Sequence, residues 1–167
     1  SKLEGLPLCY TLEGCRGKPG DGYRCKTAAA VGGTCAGYRL PTDLEWELAA
    51  RAECAKGLCG SLDGVARWKG NANSSPGPVA NHKPNRWGLF DTLGNVWEWV
   101  WDGRRDVPLP ASDVENEASN SSLRTLRGCS FTTRLGQCRL DARRHESPSY
   151  IEYDVGFRVV RTAPKKR

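Results

Sequence analysis

RWGLFDTLGNVWEW, residues 86–99, places three tryptophans, two glycines, an asparagine and a glutamate within fourteen positions. Little of such a stretch can be ordinary loop. Its end, NVWEWVW, reads as a strand over 95–101, because side chains alternate between the two faces of a strand. Trp97, Trp99 and Trp101 fall on one face, and Val96, Glu98 and Val100 on the other. Both faces read as buried. Glu98 then lies between two valines, and a carboxylate there needs a partner, since burying an unpaired charge is costly. Two partners fit. One is Arg158, from the apolar stretch Phe157-Arg158-Val159. The other is a bound Ca2+, held by oxygens of Asn95, Glu98 and nearby backbone carbonyls such as that of Val96.

Upstream lies the clearest helix. Pro41 breaks what precedes it. Thr42 and Glu45 form a T-x-x-E capping box, in which the threonine oxygen accepts a free amide hydrogen and the glutamate reaches back. Asp43, Glu45 and Glu47 sit near the positive end of the helix dipole and Arg51 near the negative end. The helix is expected over 42–53, with Leu44, Leu48 and Ala52 as its buried stripe. Residues 60–86 and 103–122 read as loops and 132–154 as irregular. Strands are expected at 123–131 and 155–161.

The length of 167 residues fits one domain. Gly and Pro, 19 and 10 residues, indicate turns and loops rather than a helix bundle. No apolar run reaches membrane-spanning length. The start, SKLEGLPLCY, lacks the charged-then-apolar pattern of a leader, so the chain reads as mature, trimmed or internal. The net charge is +6, and residues 104–167 hold 13 Lys/Arg against 8 Asp/Glu. Most of these arginines are spaced singly through strand-like text, where Arg makes forked hydrogen bonds within a fold. Nucleic acid is therefore not the expected partner. An anion-binding module using the same arginines is a third reading, and it predicts affinity that falls with salt.

Eight cysteines stand at 9, 15, 25, 35, 54, 59, 129 and 138. An even count in a loop-rich chain points to disulfides and to an extracytoplasmic or secreted location. Zinc would want C-x2-C knuckles, and none is present. Spacing alone does not fix connectivity. Short loops close most readily, so neighbour pairing is expected: Cys9 with Cys15, Cys25 with Cys35, Cys54 with Cys59, Cys129 with Cys138. Residues 1–37, with four of these cysteines and eight glycines, read as an irregular stapled segment. His82 and His145 are the only histidines and lie far apart, which excludes a three-histidine iron site within this chain.

Four blocks occur in order: YRLPTDLEWELAARA at 38–52, the tryptophan stretch, LRGCSF at 126–131 and VGFRVVR at 155–161. Together they resemble the formylglycine-generating-enzyme/sulfatase-modifying-factor family, most strongly over 37–161. The resemblance implies an α+β, C-type-lectin-like fold with small antiparallel sheets, few helices and long loops. It favours Ca2+ at the Asn95, Val96, Glu98 segment, which matches a calcium site of the formylglycine enzymes. It further implies that strands upstream of this chain complete the domain. A protein partner or a cleaved N-terminal segment is expected to supply them.

The family contains both oxidases and inert binding modules, and residues 127–143, RGCSFTTRLGQCRLDAR, bear on the choice. The resembled oxidases carry two cysteines five apart here, which bind copper and attack the substrate cysteine. Cu(I) wants two soft thiolates. Cys138 matches the second position, but the first falls on Thr133, whose hydroxyl is hard and stays protonated. Cys129 stands where the family usually has glycine, and pairing with Cys138 would consume the remaining thiol. No copper is expected, and the chain reads as a pseudoenzyme that binds through the loops at 103–122 and 132–154. Arg134, Gln137, Arg139, Arg144, His145, Tyr150 and Trp87 are the candidate contacts. Variable receptor proteins on this fold diversify the corresponding C-terminal segment. The alternative is a copper-dependent oxidase of peptide thiols, for which Cys129 and Cys138 would be the metal pair.

Overall fold

The computed structural model describes residues 1–31, 35–54, 60–104 and 122–163. They fall into two compact units. One holds residues 1–39 and 159–163 of those described, and the other residues 40–104 and 122–158.

The first unit is made of two-stranded antiparallel pieces. β1 (Tyr10–Glu13) pairs with β4 (Thr27–Ala30), and β2 (Arg16–Lys18) with β3 (Asp21–Arg24) nested between them. β5 (Tyr38–Arg39) pairs with β10 (Val160–Arg161). Residues 1–37 are thus more regular than composition suggests. The nesting also overturns two of the expected disulfides. Cys9 bonds Cys35 and Cys15 bonds Cys25. A hairpin brings its two ends together and its two middles together, so partners are concentric along the chain rather than adjacent.

The second unit contains the sheet and both helices. α1 (Asp43–Arg51) starts at Thr42, whose side chain accepts from Glu45 N at 3.2 Å while Glu45 accepts from Thr42 N at 2.8 Å. The capping box is therefore complete. The buried stripe is not the expected one. Trp46 and Ala50 face inward, at 2 % and 5 % exposure, while Leu44 and Leu48 are 42 % and 59 % exposed. Trp46 and Ala50 share the same four-residue spacing, and an indole removes more apolar surface from water than a leucine does. Ala52 is fully buried but caps the helix in a left-handed conformation. A short α2 (Leu62–Val65) lies within the stretch read as loop.

β6 (Trp97–Gly103) is the centre of a four-stranded sheet of order β8-β7-β6-β9. β7 (Arg124–Arg127) runs antiparallel to it, β8 (Arg143–Glu146) antiparallel to β7, and β9 (Val155–Phe157) parallel to β6. The strand expected over 123–131 stops at Arg127, because Gly128 and Cys129 both have positive φ, +93° and +62°. The strand expected over 155–161 is two strands, β9 and β10, in different sheets. β8 lies within the segment read as irregular. The core joins Trp46 and Ala50 to Leu93, Trp97, Val100, Leu126, Cys129 and Leu140. These small, mostly antiparallel sheets with few helices are the α+β arrangement expected. Of the loop expected at 103–122, residues 105–121 lie outside the described residues, as does Cys59. Cys54 is disulfide-bonded. Among the described residues no helix is long and apolar enough to cross a membrane.

Candidate functional site

The turn before β6 is fixed by backbone. Gly94 has φ +76°, and a Cβ there would meet Arg67 O at 2.2 Å, so only glycine fits. Asn95 follows in the left-handed region, at φ 60°. Its Oδ1 accepts from Gly77 N at 2.9 Å and its Nδ2 donates to Gly77 O at 3.3 Å. Glu98 is 6 % exposed. Trp46 Nε1 donates to its Oε2 at 2.7 Å, and the Arg158 guanidinium grips both oxygens, Nε to Oε2 and Nη2 to Oε1, each at 2.5 Å. Arg158 also donates to the carbonyls of Phe90 and Asp91 at 3.2 and 3.1 Å. Burial alone lowers the pKa of this guanidinium, but the bonds and charge of Glu98 raise it on balance.

The partner of Glu98 is thus the arginine. In the expected Ca2+ set, Asn95 and Glu98 supply the side-chain oxygens and Val96 its backbone carbonyl. The asparagine oxygen is engaged by a backbone amide, and a metal would have to compete with a guanidinium already bidentate on the carboxylate. No group of three His, Cys, Asp or Glu among the described residues is placed to hold a metal.

The segment from β7 to β8 carries a second charge cluster and the disulfide. Arg127 is fully buried. Its Nη2 donates to Glu47 Oε2 at 2.6 Å and its Nη1 to Ala142 O at 2.9 Å. Its Nε lies 2.8 Å from Asp43 Oδ1 as an ion pair without hydrogen-bond alignment. The guanidinium also sits 4.9 Å from the Trp46 ring centroid. Arg143 covers the same two carboxylates from β8. Desolvation lowers the Arg127 pKa further than its acidic neighbours raise it.

Past Gly128 the chain turns, and Cys129 bonds Cys138. Both are buried, at 0 % and 5 % exposure. Thr133, at the first oxidase position, accepts from Ser130 N at 3.1 Å. Ser130 and Thr132 donate to Asp154 Oδ2 at 3.0 and 3.1 Å, and Arg144 Nη1 lies 3.7 Å from that oxygen. With the two sulfurs joined there is no thiolate pair here, so the residues do not fit copper.

The candidate contacts separate into groups. Arg134 and Gln137 are exposed on the turn closed by the disulfide, and Arg139 is exposed just beyond it. Arg139 pairs with Asp141 at 2.7 Å, which raises the pKa of the guanidinium and lowers that of the carboxyl. Arg144 and Tyr150 come together, Nη2 to the phenol oxygen at 2.5 Å with the guanidinium 4.8 Å from the ring centroid. Asp154 joins them through Arg144. His145, next along β8, points to the other face, where its Nδ1 lies 3.3 Å from Thr125 Oγ1. Trp87 is 47 % exposed in a separate turn. Sequence reasoning missed Ser130, Thr132 and Asp154. Two hydroxyls and a carboxylate more than twenty residues apart carry no spacing signal. The one hint is an acid placed directly before an apolar strand.

The sulfatase-modifying factor enzyme 1-like domain family matches residues 16–163. The chain is 32 % identical over 155 residues to the formylglycine-generating enzyme of Streptomyces coelicolor, covering 77 % of this chain and 48 % of that enzyme. It is 28 % identical over 183 residues to a Mus musculus protein named inactive C-alpha-formylglycine-generating enzyme 2, covering 89 % of this chain and 54 % of that one. Among solved structures, Treponema denticola variable protein 1 superposes with a TM-score of 0.71 at 28 % identity, covering 93 % of this chain and 63 % of that chain. The chain spans about half the length of these curated relatives.

Proposed function

Because the chain belongs to the formylglycine-generating-enzyme/sulfatase-modifying-factor family, we propose that it serves there as a non-catalytic binding or structural module. It recognises a protein or other ligand through the loops at 103–122 and 132–154. The observation that carries this reading is the Cys129–Cys138 disulfide beside Thr133. Thiol oxidation in the resembled enzymes runs on two soft sulfurs, and here one position is a hydroxyl and the other sulfur is already bonded. The inactive relative from Mus musculus gives the reading a parallel within the family.

The turn between the two cysteines is suited to contact. Its ends are fixed, and Arg134, Leu135 and Gln137 stand outward on it. A closed nine-residue span has already given up most of its chain entropy, so a ligand need not order it. We propose an extracytoplasmic location, on the strength of the disulfides. We also propose that a partner segment covers the exposed apolar side chains Ile151, Tyr153 and Phe157. Native mass spectrometry tests it: a second polypeptide in the complex is expected, and a lone monomer rejects it.

The functional test joins non-reducing peptide mapping, Cu(I) titration and an oxygen-uptake assay with a cysteine-containing peptide. The expected outcome is a linked Cys129–Cys138 peptide, no copper at that pair and no aldehyde product. Free thiols at both positions with copper bound would establish the oxidase instead. A Cys129→Gly, Thr133→Cys double variant restores two thiols five residues apart. Copper uptake by the variant alone would locate the loss of chemistry at these two positions.

A further inference from the structure

We propose that the stapled hairpin of β2 and β3 is a docking element for an acidic, extended segment of a partner protein, because it sets Arg16 directly across from Arg24 beside strand edges that no described strand pairs with. The two arginines are register partners. Like charges placed directly opposite on a hairpin are unfavourable. Both side chains are exposed, and neither makes an ion pair or hydrogen bond to any described residue. Lys18 and Lys26 add two further exposed cations, and Asp21 is the one acid between Cys15 and Cys25. The disulfide between those cysteines holds the repelling pair together where mutual attraction does not.

Two further features narrow the occupant. Among the described residues β2 and β3 form a two-stranded sheet, so each keeps an outer edge of backbone N–H and C=O groups without a strand partner. Such an edge accepts an added strand. A second copy of this hairpin is disfavoured, because it brings the same cations to the contact. A strand with Asp or Glu at alternate positions satisfies the edge and the charges together. Tyr23, 43 % exposed on β3, adds a flat amphipathic contact of the kind enriched in interfaces.

The test uses the full chain and fluorescence anisotropy with a labelled octapeptide of alternating Glu and Val. Two controls are the same peptide with Pro at two Val positions and an alternating Lys and Val peptide. Binding of the Glu-Val peptide is expected, weakening with salt and falling about fivefold to tenfold in an Arg16→Ser, Arg24→Ser variant, the scale of two exposed charge contacts. Neither control is expected to bind. Peptide mapping checks that the Cys15–Cys25 bond survives in the variant, and Lys18→Glu, at the turn end of the hairpin, gives an independent second reading. The proposal is overturned if the Glu-Val peptide does not bind, or if charge removal leaves its affinity unchanged. Equal binding of the proline-broken peptide also overturns it, since a bare polyanion site has no need of the strand edge.

Discussion

Glu98 and Arg127 show what a buried charge requires in this molecule. Each is neutralised by residues far along the chain, Glu98 by Arg158 and Arg127 by Asp43 and Glu47, and each touches the Trp46 indole. Removing one member of such a pair leaves the other charged and desolvated. Glu98→Gln is therefore expected to lower unfolding free energy by about 3 kcal/mol, read from urea denaturation. In the same experiment EDTA is expected to leave the wild-type midpoint unchanged, since Glu98 is already paired. A fall in the midpoint on chelation would place a calcium ion at the turn after all. Glu98 was legible because two valines flanked it on one strand face, and Arg158 because it sat in another apolar strand. Thr133 was legible only through the family resemblance, which expects a cysteine five residues before Cys138. Arg127 was legible as one of the arginines expected to make forked hydrogen bonds within the fold, but its partners Asp43 and Glu47 were not, since no spacing links them to it.

At the scale of elements, α1 was the most legible, because its start is written in side chains that can do little else. Thr42→Ala removes the side-chain half of the capping box and is expected to cost about 1 kcal/mol. The same urea midpoint reads it, and Thr42→Ser should recover most of the loss. The inward face of α1 was misjudged because both i, i+4 rows carry apolar residues, and the tryptophan row buries the larger surface. β8 was illegible for a different reason. RRHE has no apolar alternation. It becomes a strand through its neighbours: Arg143 pairs with two acids of α1, while Arg144 is held by Glu146 and Tyr150. The concentric disulfides were hidden because β1 through β4 carry few large apolar residues, so the nested hairpin left no pattern to read.

Across the whole molecule, acids of one helix meet arginines of two strands. Burial pushes the pKa of Glu47 up, but the Arg51 hydrogen bond and the charges of Arg127 and Arg143 outweigh it and hold the carboxyl below its ordinary value of 4.5. A carboxylate lowered on folding stabilises the protein fully above its unfolded value and loses that contribution as pH falls through the folded one. The stability gap between wild type and Glu47→Gln is therefore expected to hold from neutral pH down to about 4.5 and to close below it, as followed by urea midpoints across that range. These same contacts also set a tempo. Arg127 reaches Glu47 across 80 residues, and Arg143 reaches Asp43 across 100. Neither α1 nor the β7–β8 pair gains its charge partners until the chain between them has closed on itself, so the entropic cost comes early and the reward late. Bringing residues 43–47 together with residues 127–143 is then the closure on which both elements wait.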